Sequence, residues 1–331
     1  MPPAPLPPFS DYLMIEELAF AARDMTIRHF GRIISLYAPL YISNYCDNHC
    51  VYCGFHSGRD IPRKKLSSSE LEAECRALAG TGIQNILILT GESRIHSPVT
   101  YIKESALTAK KYFPNIGLEI YPLETEEYRE LYLAGVDGIT LYQETYNREV
   151  YQKLHVSGEK RNYDYRYDAP FRMAEAGIRH ISLGILLGLS DWREDIQHLF
   201  SHLKLLWRKY PGIEYSLSFP RLQIVTDDSF KYHKVTDLDM LKIITSARLL
   251  FPRVGINLST RENPAFRDKI IGFGVTRMSA GSSTCVGGYY NSSDSHQFTV
   301  NDRRSLAQIK TMLIDKGYDP VITDWRSITN E

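Results

Sequence analysis

Leu40-Tyr41-Ile42-Ser43-Asn44-Tyr45-Cys46-Asp47-Asn48-His49-Cys50-Val51-Tyr52-Cys53-Gly54-Phe55 joins the end of a β-rich run to three closely spaced cysteines. The spacing is C-x3-C-x2-C, with Tyr52 immediately before the last thiol. Three thiolates at this separation suit three corners of a [4Fe-4S] cube, and no fourth cysteine stands nearby to close the last corner. One iron would then stay open, a port at which a small molecule can bind and accept an electron. The competing reading is a zinc site completed by His49 or His56. Structural zinc favours C-x2-C pairs that recur along a chain, and no second pair follows here.

Working outward, eight short β-rich runs alternate with longer amphipathic stretches. The runs are Leu36–Ile42, Asn85–Leu89, Leu118–Tyr121, Gly138–Tyr142, Ile181–Leu186, Tyr215–Phe219, Gly255–Ser259 and Val275–Ser279. Helical patterns occupy Ser69–Ala79, Thr100–Tyr112, Glu126–Ala134, Asp164–Ala176, Trp192–Tyr210, Asp237–Phe251 and Pro264–Ile270, each ended by Gly, Pro or a polar turn. This alternation predicts a (β/α)8 TIM-type barrel with helical extensions at Tyr12–His29 and Arg304–Lys316. The expected division is 1–34 as leader and helix, 35–285 as barrel, and 286–331 as a C-terminal extension packing on it.

The singular residues fall where such a barrel needs them. Cys46–Cys53 follow the first strand, Gly91 and Glu92 the second, Glu144 the fourth, Gly188 the fifth, Arg221 the sixth and Arg261 the seventh, and Ser279 ends the eighth. All are C-terminal strand ends, which converge on one face of a closed parallel barrel.

Composition sets the surrounding limits. At 331 residues and 43% hydrophobic the chain can bury a large core. Thirty-nine basic residues balance 39 acidic ones, so no net charge draws it to nucleic acid or anionic lipid. No apolar run approaches a membrane span, and Pro2–Pro8 lacks the basic and apolar regions of a signal peptide, so a cytoplasmic location is expected. Five cysteines, three in one loop, form no disulfide framework. Cys75 reads as a small buried hydrophobe, and Cys285 as a thiol without a required role.

In this setting the chain resembles the radical S-adenosylmethionine (SAM) enzymes, and among them the 2-iminoacetate synthases, the tyrosine lyases of thiamine thiazole biosynthesis. The blocks that carry the likeness are the cysteine loop with Leu-Tyr-Ile-Ser-Asn before it, Leu-Thr-Gly-Glu (89–92), Tyr-Gln-Glu-Thr-Tyr (142–146), Gly-Leu-Ser-Asp (188–191), Ser-Phe-Pro-Arg (218–221), Leu-Ser-Thr-Arg-Glu (258–262) and Met-Ser-Ala-Gly-Ser (278–282), up to an Asp324-Trp325 ending. The resemblance implies a [4Fe-4S] cluster on Cys46, Cys50 and Cys53, with SAM contacted by Tyr52, Gly91, Glu92, Glu144 and Arg166. It implies cleavage of L-tyrosine between Cα and Cβ to 2-iminoacetate and p-cresol. Its partners would be a one-electron reductant such as flavodoxin or ferredoxin, and thiazole synthase as consumer of the imine.

For the substrate carboxylate a cation is needed. Arg261 with Ser279 is the first candidate and Arg221 the second, although the Phe-Pro-Arg context of Arg221 equally suits a loop-anchoring salt bridge. Glu144 and Arg166 could instead pair with each other. Glu119, which interrupts an apolar run, either points into the pocket or pairs with a barrel arginine. His155 and His180 have no ligand-like spacing and read as packed or surface residues. Related readings remain: a tryptophan lyase with a different ring pocket, the tyrosine lyase of hydrogenase maturation, whose extra cluster domain carries C-terminal cysteines while no cysteine follows Cys285 here, and a non-catalytic zinc-stabilised barrel.

Overall fold

The computed structural model describes residues 12–223, 232–291 and 296–323; the Pro2–Pro8 stretch and the Asp324-Trp325 ending lie outside them. Eight parallel strands form the barrel: β1 (Ile33–Ser43), β2 (Asn85–Thr90), β3 (Asn115–Glu119), β4 (Gly138–Glu144), β5 (His180–Ile185), β6 (Glu214–Ser218), β7 (Gly255–Leu258) and β8 (Arg277–Ser279). The ring closes where Ser35, Leu36 and Tyr37 of β1 pair with Arg277, Met278 and Ser279 of β8. A ninth strand, β9 (Asp319–Val321), adds in parallel to the start of β1. Because Ser35 pairs with both Arg277 and Val321, β9 fills the β1 edge that β2 takes over from Ala38 onward.

Helices alternate with the strands: α1 (Tyr12–Phe30), α2 (Ser68–Gly80), α3 (Val99–Lys110), α4 (Thr125–Leu133), α5 (Arg148–Leu154), α6 (Tyr163–Tyr167), α7 (Ala169–Glu175), α8 (Trp192–Lys209), α9 (Asp237–Leu250), α10 (Pro264–Ile270) and α11 (Leu306–Asp315). Strand alternation sorts the side chains. On β1, Leu36, Leu40 and Ile42 are buried in the apolar layer, while Tyr37, Pro39 and Tyr41 face the barrel interior. Capping is explicit: Ser67, Thr236 and Ser305 each form a reciprocal capping box with the third helical residue. No helix among the described residues is long and apolar enough to cross a membrane.

Three expectations need correction. Strand three starts at Asn115, directly after Pro114, rather than at Leu118; its inward positions are Asn115, Gly117 and Glu119, so little apolar periodicity marked it. The single helix expected over Asp164–Ala176 is two, α6 and α7, because Pro170 has no N–H to give the Arg166 carbonyl four residues back. Helix α5 and a small antiparallel pair, His49–Cys50 with His155–Ser157, were not expected. That pair ties the cysteine loop to the chain following β4.

Candidate active site

A cavity of ≈ 950 Å³ runs down the barrel interior, lined at its upper end by Cys46, Cys50 and Cys53 and lower down by residues of all eight strands. The cysteine loop is held by backbone contacts: Asp47 N–H donates to the Glu92 carbonyl (3.0 Å) and Ser57 N–H to that of Asn48 (2.8 Å). Arg63 clamps the loop from behind, its guanidinium donating to the carbonyls of Asn44 and Phe55, each at 2.7 Å. At Gly91 a Cβ would stand 2.2 Å from the Tyr45 carbonyl oxygen, so only glycine allows β2 to pass this close to the loop.

The thiols fit the cluster that their spacing suggests. All three line one cavity and no other cysteine does. Burial pushes Cys46 up to about 11, with Glu92 adding to the shift, and also raises Cys50 and Cys53. Such thiols become thiolates only against strongly bound metal. Among the described residues, no three His, Cys, Asp or Glu side chains converge on a point where a single metal ion could sit. His49 and His56 stack on each other, ring centroids 4.6 Å apart, and neither lines the cavity. Neither histidine named for the zinc reading therefore shares the cavity with the three thiols.

Beside the cysteines lies a buried network of four charges. Glu92 accepts from Arg166 at 3.0 Å and lies 3.4 Å from the Lys160 ammonium, which donates to Glu144 at 2.7 Å. Arg166 also donates Nε–H to the Tyr142 carbonyl at 2.6 Å. The alternative of a direct Glu144–Arg166 pair is not formed; each takes a different partner. Burial alone would raise the Glu92 carboxyl, but Arg166 and then Lys160 outweigh it and hold it at about 2. Glu144 is lowered by the same balance, with Lys160 the larger attraction. Among the described residues, Glu144 is the one non-glycine residue with positive φ (71°), and β4 shifts register beside it. Lys160 was missed from sequence. The available signal was Gly158 (φ 93°), whose turn brings Lys160 N–H to Asn48 Oδ1 at 2.9 Å.

Tyr52 is buried and donates its hydroxyl to His155 Nε2 at 2.8 Å, while His155 Nδ1–H donates to the Tyr151 carbonyl at 2.7 Å. Burial, followed by Lys160, lowers His155 to about 4, so the ring is neutral and this tautomer leaves Nε2 as an acceptor.

The arginines separate by partner. Arg221 does not line the cavity: its guanidinium binds Glu262 and Asp237 and lies over Phe266, so the loop-anchoring reading holds and the carboxylate-anchor reading for it does not. Arg261 does line the cavity. Its guanidinium stacks 3.5 Å above the Phe298 ring centroid and has no carboxylate at ion-pair distance among the described residues. Ser279 lies next to it in the wall, its Oγ accepting from Thr260 N–H at 3.0 Å. Glu119 faces the same space with no hydrogen bond or ion pair to a described residue. Burial, then the Glu144 charge, raises it to about 7 against the opposing pull of Arg261.

A family model for the radical SAM superfamily matches residues 40–203, and one for the biotin and thiamin synthesis associated domain matches 218–319. The 2-iminoacetate synthase of Salmonella typhimurium is 37% identical over 97% of this chain and 85% of its own length. The chain belongs to the radical SAM family, in its 2-iminoacetate synthase branch. The 2-iminoacetate synthase of Escherichia coli gives the same identity and coverage. Among solved structures, HydG, a maturase of the [FeFe]-hydrogenase, superposes with a TM-score of 0.92 at 33% identity over 96% of this chain and 71% of HydG. Methylornithine synthase, at 22% identity and a TM-score of 0.77, shares the fold. Members of this family use a [4Fe-4S] cluster and SAM, the pair that the cysteine loop and its charged neighbours suit.

Proposed function

We propose that the chain is a radical SAM lyase that cleaves L-tyrosine between Cα and Cβ to 2-iminoacetate and p-cresol, supplying the imine for thiamine thiazole synthesis. The observation that carries this reading is the Arg261 guanidinium, without a carboxylate at ion-pair distance among the described residues and facing the cavity that the three cysteines line, in a chain 37% identical to curated 2-iminoacetate synthases.

Cys46, Cys50 and Cys53 would hold the cluster, and Tyr52, Gly91, Glu92, Glu144 and Arg166 would border SAM, with Lys160 keeping the two carboxylates ionised in a buried wall. When bound, the cluster and SAM supply a reductively generated 5'-deoxyadenosyl radical. The chain's own work is placement and exclusion of water. Arg261 offers the planar fork that fixes an α-carboxylate in both charge and orientation, and Ser279 offers a hydroxyl beside it. Glu119, poised near neutrality in the same space, is suited to take a proton from the substrate ammonium. A one-electron reductant of the flavodoxin or ferredoxin type would supply the electron to the cluster, and the imine would pass to thiazole synthase, all in the cytoplasm.

Anaerobic incubation of the reconstituted protein with tyrosine, SAM and dithionite should yield p-cresol, 5'-deoxyadenosine and glyoxylate, the hydrolysis product of the imine. Cofactor cleavage accompanied by a product of tryptophan but none of tyrosine would overturn the substrate assignment.

A further inference from the structure

Below Arg261 the cavity continues to a polar floor with no part in the roles described so far. Arg277 stands two residues before Ser279 on β8 and shares its inward face. Its register partner on β7 is Asn257, itself two residues before Ser259. Tyr37 of β1 and Asn85 of β2 complete the floor, and all four line the cavity. Arg277 lies over the Tyr37 ring at 5.5 Å, and among the described residues no carboxylate reaches ion-pair distance of it.

The hydrogen bonds that are made here define those left open. Asn85 donates Nδ2–H to the Leu36 carbonyl (3.2 Å) and to Ser35 Oγ (3.4 Å), which fixes the amide orientation and leaves Oδ1 buried without a partner. Asn257 donates Nδ2–H to Ser182 Oγ (3.0 Å) and Ser216 Oγ (3.2 Å), again leaving Oδ1 open. Arg277 Nε–H is likewise without an acceptor. The floor therefore presents a charged donor beside two neutral acceptors. Burial, then Arg277, holds His180 neutral at about 3, and burial raises Tyr37, on which the Glu119 charge also acts.

A ligand group that accepts from Arg277 and donates to one of the amide oxygens suits this floor, and a phenolic hydroxyl, with one proton to give, does both. An indole N–H only donates, and a phenyl ring does neither. The spacing agrees with this choice. Two residues along a strand span about 6.6 Å, comparable with the reach of a p-hydroxybenzyl side chain from Cα to its oxygen. A substrate with its Cα at the level of Ser279, beside Arg261, thus places a phenol at the level of Arg277; Pro39, Leu87 and Leu89 line the same cavity.

We propose that Arg277 and its register partner Asn257 form the receptor for the substrate's phenolic hydroxyl and are the groups that select tyrosine over tryptophan and phenylalanine. This rests on the lyase reading given under Proposed function and assigns the far end of the same site. A site built to hydrogen-bond a substrate hydroxyl rejects analogues that lack it, because its own buried groups are then left unpaired.

The test uses cluster-reconstituted protein loaded with SAM, without reductant, titrated calorimetrically with tyrosine, phenylalanine and tryptophan. Wild type should bind tyrosine about 10- to 150-fold more tightly than phenylalanine, the range of one charge-assisted hydrogen bond. In Arg277→Met that ratio should fall to within about threefold of unity, through weaker tyrosine binding. Asn257→Ala should narrow it partway. Wild type should also bind p-cresol in competition with tyrosine and bind toluene at least tenfold more weakly, on the order of one such bond. An unchanged tyrosine-to-phenylalanine ratio in Arg277→Met, or equal binding of p-cresol and toluene, overturns the proposal. Should Arg277→Met lose its cluster, Asn257→Ala and the wild-type ligand pair decide. Product analysis keeps the two readings apart: wild type that forms no p-cresol sinks the lyase assignment, whereas wild type that forms it while the variant keeps full selectivity sinks only the receptor.

Discussion

Replacing Lys160 by Met tests the charge network beside the cysteines. Glu92 and Glu144 contribute two negative charges, Lys160 and Arg166 two positive ones, and the four side chains are between 4% and 15% exposed. Loss of Lys160 leaves the set at −1, with Glu144 deprived of its 2.7 Å partner. Breaking a buried pair from one side costs about 3 to 5 kcal/mol, which at a slope of about 3 kcal/mol/M lowers the urea midpoint by about 1 M or more. The pH dependence gives the mechanism. In wild type both carboxyls are depressed, Glu92 to about 2, so their stabilisation is present above the unfolded value of about 4.3 and lost as pH falls. In the variant one carboxyl lacks its cation and its folded pKa rises above the unfolded value, so it favours folding at low pH and opposes it as pH rises. The deficit should therefore be small near pH 5 and full near pH 8, measured by anaerobic urea unfolding under thiol-reducing conditions. Adding Glu144→Gln should recover part of the loss. A deficit that stays constant with pH, or strict additivity of the two substitutions, would refute the argument.

Three further outcomes follow from the same geometry. Cys46→Ser, Cys50→Ser or Cys53→Ser should each fall well below the about four irons per chain expected for wild type, while Cys285→Ser, outside the cavity, should retain them, as read by iron and sulfide analysis. Arg261→Ala should keep the cluster and cofactor cleavage yet lose tenfold or more in tyrosine affinity, about 1.5 to 3 kcal/mol for a charged hydrogen bond; p-cresol and 5'-deoxyadenosine measured together would expose the uncoupling, and an unaltered tyrosine dependence would count against the anchor. Glu119→Gln should stabilise the apoprotein by up to about 3 kcal/mol at pH 8, because a carboxyl raised to about 7 weakens folding as pH climbs from the unfolded value of about 4.3 through the folded one, and the gain should vanish below about pH 4.

The architecture was legible because barrel strands and helices differ in period and length, and seven of eight strand cores fall close to the expected positions. The misses have physical causes. Strand β3 points Asn115, Gly117 and Glu119 into a polar cavity, which erases the apolar alternation that marks a strand. Helices α6 and α7 read as one because a proline at a helix start and a proline inside a helix look alike without knowing where the chain turns. Arg166 reaches the cavity from helix α6, while Cys46, Cys50, Cys53, Glu92, Glu144, Arg261 and Ser279 meet there because each sits near or just beyond a strand end. Arg221 shares that property and still misses, since Glu262 and Asp237 capture its guanidinium first. Lys160 and Arg277 escaped notice for opposite reasons. One lies in an irregular connection without periodicity; the other sits at the beginning of a strand, where barrel residues ordinarily serve packing.

Glu144 raises the question of what holds a strained backbone at the rim. A non-glycine residue at φ 71° is stable only when its surroundings over-determine it. Immediately after it, Thr145 Oγ1 and Tyr146 N–H both donate to the buried Asp195 carboxylate, at 2.9 and 2.7 Å, and Ser190 adds a third, shorter bond. Asp195 lies in the first turn of α8, so the helix after β5 fastens the chain leaving β4. The two blocks Tyr-Gln-Glu-Thr-Tyr (142–146) and Gly-Leu-Ser-Asp (188–191) meet here as well, the hydroxyls of Thr145 and Ser190 lying 3.0 Å apart, and just before the second block Leu186 N–H donates to the Glu144 carbonyl at 2.9 Å. Burial raises Asp195, and its hydrogen-bond donors, Ser190 first among them, work against that rise. The strain at Glu144 is thereby met on both sides, by Leu186 on its own carbonyl and by Asp195 on the residues that follow. That bracing leaves the carboxylate directed at Lys160 and at the space where the family's cofactor binds.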